Sequence, residues 1–132
     1  MAAIGKVALG ARYTLGGIRM ITGTLGLVAP TRIAQRLGDP QPERNAAAIY
    51  GIRLFGVRTV LIGLDLFTLR GAALHGALRS AVIIHAGDTA TVLSLKQSTV
   101  LAPDLARPLA AISALNTVLS VTAFLGNRRS PQ

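Results

Sequence analysis

The chain has 132 residues, of which 51% are apolar, 14% charged and 4% aromatic; its 14 Lys and Arg face 5 Asp and Glu, with no Cys or Trp. Charge is far below the roughly 25% of soluble domains, and the apolar content excludes a disordered chain, which needs the opposite balance. The lack of cysteine excludes a disulfide scaffold, a thiol nucleophile and a thiolate metal site.

A membrane span needs about 20 mostly apolar residues, and four stretches qualify in chain order. The first is predicted over about residues 9–29, closed by Pro30. A polar link follows, in which Thr31 either caps a short helical turn that turns Arg32 and Arg36 to the headgroups or belongs to an irregular loop. The second span is predicted over about 46–69, and the turn at Arg70-Gly71 leads into a third over about 72–95. A link from Lys96 to Pro108, broken by Pro103 and Pro108, precedes a fourth span over about 109–126 and a polar tail. Alternation at period two is missing, so strands are not expected. The expected fold is all-α: one domain forming an integral membrane, four-helix up-down bundle. Arg12 and Arg19 interrupt any signal-peptide apolar core, so none is expected at the N-terminus.

The formal net charge of +9 would suit nucleic acid if the basic residues formed a solvated face. Here several arginines stand isolated inside apolar segments, so nucleic acid is not an expected partner. The bilayer is, with anionic lipid at the basic links. Basic residues nearly balance across the two sides; the expected location is the cell (inner or plasma) membrane, multi-pass, with cytoplasmic termini.

Charges inside spans are costly and normally face the bundle interior. At 100° per residue, Arg12, Gly16, Arg19, Gly23 and Gly26 share one face of the first helix. In the second, Gly51, Arg58 and Asp65 share one face, while Gly56 and Gly63 share another, nearer Arg53. The third gathers Ser80, His85, Gly87, Asp88 and Thr91, and the fourth carries Ser113, Asn116, Thr117 and Ser120 at the spacing of interhelical hydrogen bonds. The expected intramembrane network is therefore Arg19, Arg53, Arg58, Asp65, Arg79, His85, Asp88 and Asn116. Matching depths along the helices favours two ion pairs, Arg53–Asp88 and Asp65 with Arg79 or Arg12. Five arginines (12, 19, 53, 58, 79) against two aspartates leave three positive charges to be met by carbonyls, Asn116, water, a partner's acid or an anionic headgroup.

His75 is expected at the interface. His85, one turn from Asp88, is expected to be a packing histidine, with a proton relay as the alternative. Two histidines ten residues apart make no metal site. No phosphate loop, GxSxG elbow or HExxH is present, so no catalytic residue, cofactor or metal is expected.

Three stretches give the chain a family likeness: residues 15–36 (LGGIRMITGTLGLVAPTRIAQR), residues 53–67 (RLFGVRTVLIGLDLF) and residues 79–93 around Gly87-Asp88. Their order resembles the small four-span DUF4267-type proteins of actinobacteria, in which a Gly-rich span ends in Ala-Pro and basic residues. The next span of that group carries R-x-x-G-x-R-x-x-x-x-G, matched by Arg53, Gly56, Arg58 and Gly63, and the third carries Gly-Asp. Where the group has a further acid three residues on, this chain has Thr91. The resemblance implies architecture and no activity. The expected function is that of a non-enzymatic accessory or structural subunit, joined to a larger membrane complex, to a second copy or to anionic lipid through its intramembrane arginines. The alternative is a small proton-coupled transporter using Asp88, His85 and Asp65.

Overall fold

The computed structural model describes residues 2–128; the end of the predicted polar tail, from Arg129 on, lies outside the described residues. These fold into five α-helices with no strand: α1 (Ala2–Val28), α2 (Pro30–Arg36), α3 (Ala46–Thr68), α4 (Gly71–Gln97) and α5 (Pro103–Arg128). The all-α expectation holds, and α3 and α4 fall close to their predicted bounds.

The links differ from expectation for local reasons. Pro30 does not end the helical path but restarts it as the first residue of α2, where its missing N–H costs nothing. Ala29 stands at the N-cap with no side-chain bond, so Thr31 is not the cap. Gly38 (φ 96°) ends α2: its N–H bonds Gln35 O at 3.0 Å and the N–H of Asp39 bonds Ala34 O at 3.1 Å, a Schellman closure. Asp39 then accepts from Asn45 Nδ2 at 2.9 Å, while Asn45 Oδ1 accepts from the Ala48 N–H at 3.0 Å and caps α3. Pro103 opens α5 rather than breaking a link, and Pro108 lies within that helix. It sits in the second turn, so the only bond forfeited is to the Asp104 carbonyl.

α1 and α3 run in opposite directions, since Gly16 meets Gly63 and Gly23 meets Gly56. α1 is central and packs on α3 and on α5; α4 packs on α5, and α3 meets α4 along a thinner seam. Glycines set the α1–α3 spacing. A Cβ at Gly23 would lie 2.9 Å from Gly56 O, and one at Gly63 would lie 3.0 Å from Gly16 O. The two backbones are in van der Waals contact, as small residues permit.

The ends of the bundle differ. Near the α3–α4 turn, Ala11, Leu15, Leu66, Leu74, Leu78 and Ala123 form a closed apolar core. The opposite end, beside the two longer links, holds a cleft. Polarity is distributed unusually: Arg12, Arg19, Thr59, His85, Asn116 and Ser120 are buried, while large apolar side chains such as Ile21, Leu61, Ile83 and Val118 are 55–65% exposed. α3 and the 103–127 stretch of α5 each hold an 18-residue window (mean hydropathy 1.5 and 1.7) long and apolar enough to cross a membrane. Among the described residues α1 and α4, expected as the first and third spans, do not reach the same mark of length and hydropathy.

Candidate functional site: an arginine–aspartate cluster at an apolar cleft

Asp88 is the centre of the buried charge. Its Oδ2 accepts from Arg19 Nη2 at 3.3 Å and its Oδ1 from Arg58 Nη2 at 3.3 Å, so one carboxylate joins α1, α3 and α4. Three-residue spacing puts His85 on the same face of α4, and its Nδ1 accepts from the same Arg19 Nη2. A guanidinium only donates, so this nitrogen carries no proton and the imidazole is neutral, protonated at Nε2. That Nε2 is fully buried and has no partner among the described residues. The Phe55 ring lies between the two guanidiniums, with centroids 6.0 Å from Arg19 and 5.6 Å from Arg58, within cation–π range.

The cluster forms the polar wall of a cleft of about 400 Å³. Arg19, Asp88, Thr91 and Asn116 line it on the polar side, and Leu25, Ile33, Phe55, Val92, Leu109 and Ile112 on the apolar side. Asn116 is 3% exposed, and among the described residues neither its Oδ1 nor the buried Arg19 Nε has a hydrogen-bond partner. The α5 stripe faces inward as its spacing predicts: Thr117 meets Thr89 of α4 with hydroxyls 3.3 Å apart.

Of the expected network, the structure brings together Arg19, Arg58, His85 and Asp88, with Asn116 on the same cleft. Arg53, Asp65 and Arg79 are not in it: all three are exposed and form no ion pair among the described residues. The expected Arg53–Asp88 pair is replaced by Arg58–Asp88. Arg53 and Arg58 lie about 140° apart around α3: Arg53 stands beside the glycine face that packs on α1, and Arg58, on the far side from that face, reaches Asp88 of α4.

The expected partnership of Asp65 with Arg79 or Arg12 is also not made. Arg12 instead donates through Nε to Leu66 O at 2.5 Å and through Nη2 to Leu69 O at 3.0 Å. These are carbonyls at the end of α3, where the last turn has no intrahelical donors and the helix dipole attracts a cation. Arg70 Nη1 takes Phe67 O and Leu69 O at 2.9 and 2.8 Å. Backbone acceptors thus neutralise part of the excess that a count of side-chain charges leaves open. His75 stacks on Phe124 with centroids 4.8 Å apart.

The cleft was not legible in the sequence. Its apolar wall draws one or a few residues from each of five helices, and no spacing within one segment announces it. Comparison with protein-family models, curated proteins and solved structures finds no match to this chain.

Proposed function

We propose that the chain is a small integral membrane protein, a four-helix up-down bundle of α1, α3, α4 and α5 with both termini cytoplasmic. In this reading it acts without catalysis, by associating with anionic lipid or with a larger membrane complex through its arginine cluster. The observation that carries the proposal is the inverted polarity. Arginine, histidine and asparagine are buried, while all four long helices turn leucine, isoleucine, valine or phenylalanine outward. In water, contiguous apolar patches beyond roughly a few hundred Å² are rare on soluble monomers; in a bilayer such faces are the solvated ones. α3, at 23 residues and about 1.5 Å per residue, matches a hydrocarbon core of about 30 Å.

Binding is favoured over proton-coupled transport through Asp88, His85 and Asp65. Asp88 is held by two arginines, and Asp65 projects from the exposed side of α3, about 10 Å along the helix from Arg58. Binding is favoured over catalysis because the His85 imidazole bonds a guanidinium and, among the described residues, no hydroxyl. The grouping with DUF4267-type proteins belongs to the same proposal and rests on the three sequence stretches.

Alkaline carbonate washing of expressing cells tests the first part, with the chain expected to stay in the membrane pellet. The chain lacks cysteine, so single cysteines placed at Gln41 and Ser98 report topology, and both are expected to be labelled from outside intact cells. Pull-down from native membranes with lipid and protein mass spectrometry tests the association. Release by carbonate, or labels on opposite sides, would overturn the membrane reading; a lone chain free of lipid would overturn the association.

A further inference from the structure

We infer that the cleft is a binding site for a single-chain amphiphile with one ionised carboxylate, a long-chain fatty acid or its chemical equivalent. The inference rests on the membrane reading above and adds the ligand class. Charge is the first argument. Two guanidiniums, Arg19 and Arg58, face one carboxylate, Asp88, and the neutral His85 adds nothing, so the cluster carries one net positive charge. In a low-dielectric surrounding such a charge calls for a counter-charge of the same size. A carboxylate supplies one; a phosphate monoester, with about −1.5 to −2, overshoots.

Hydrogen bonding is the second argument. Arg19 Nε, a donor, is buried without a partner among the described residues, and Asn116 lines the cleft. A primary amide can turn either its N–H or its carbonyl to a ligand, and toward a carboxylate it donates beside the guanidinium. Shape is the third. The volume of about 400 Å³ falls at the lower end of the roughly 300–1,000 Å³ of small-molecule sites, which suits one chain against Leu25, Ile33, Val92, Leu109 and Ile112 better than two.

The test uses the full chain in nanodiscs of neutral phosphatidylcholine, with labelled oleate as probe and oleyl alcohol and phosphatidylglycerol as competitors. Oleate is expected to bind saturably, one per chain, and oleyl alcohol at least tenfold more weakly. Ile112→Trp, which fills the cleft from its rim, should abolish oleate binding with an unchanged melting profile. Arg58→Gln, at a half-exposed position and so compatible with folding, should make the cluster neutral and reduce the preference for oleate over the alcohol to below threefold. Equal binding of alcohol and acid, oleate binding that survives Ile112→Trp, or phosphatidylglycerol that oleate cannot displace would each overturn the assignment. Carbonate washing of membranes from the expressing cells reports separately on the membrane reading, so a failure of one is not mistaken for a failure of the other.

Discussion

Arg19 and Asp88 meet at 3.3 Å between α1 and α4, and the same guanidinium also bonds His85, so one side chain ties the two helices together. The arginine side chain is 5% exposed and the aspartate 27%. Arginine cannot shed its charge, so the stability of this contact depends on the acid staying in place.

Asp88→Asn should therefore destabilise the fold, toward the lower end of the about 3–5 kcal/mol found when one partner of a buried pair is removed, because Asp88 keeps some solvent contact. Arg19→Gln combined with Asp88→Asn should recover part of the loss, since the buried charge is gone and only the half-exposed Arg58 is left without its partner. Denaturant-induced unfolding in detergent measures both; a double variant no better than Asp88→Asn would show that the two side chains act independently.

Arg12→Met should cost about 1.5–3 kcal/mol, the range for hydrogen bonds to a charged group, because it leaves Leu66 O without its donor and Leu69 O with Arg70 alone. Hydrogen exchange should accelerate first around the α3–α4 turn. Arg12→Lys should restore only part of the protection, because an ammonium lacks the fork that reaches both carbonyls. Uniform acceleration across all helices would contradict a local role at the end of α3.

The glycines divide into two classes that the same substitution separates. Gly23→Ala places a Cβ 2.7 Å from Val60 N and 2.9 Å from Gly56 O, against backbone that cannot yield. It should destabilise by about 1–3 kcal/mol, as overpacking does. Gly10→Ala and Gly76→Ala meet nothing within 4 Å and should be neutral or stabilising by up to about 1 kcal/mol, from the helix preference of alanine. Thermal unfolding of the three variants under one condition decides; equal shifts would argue against backbone contact between α1 and α3.

Arg53→Gln should change stability by no more than about 0.5 kcal/mol, since Arg53 is exposed and unpaired among the described residues. Arg58→Gln should cost more, through loss of its bond to Asp88. The reverse order would reinstate Arg53 as the partner of Asp88.

The sequence by itself determined the helices and much of what they bury. Gly16, Arg19 and Gly23 on α1, and Asn116 and Ser120 on α5, face inward as their three- and four-residue spacing requires, because the period of a helix is a local property of the backbone. The tertiary structure alone decided which arginine serves Asp88. Depth along a helix follows from counting residues, but rotation about its axis does not. The contact of Gly56 and Gly63 with α1 fixes that rotation and turns Arg58, not Arg53, toward α4. It also decided how Arg12 is satisfied, since the acceptors are backbone carbonyls freed where α3 ends and have no place in a count of acidic side chains. The cleft belongs to the tertiary structure entirely: it is the space left where α1, α3, α4 and α5 diverge beside α2, and space between helices has no period in any one of them.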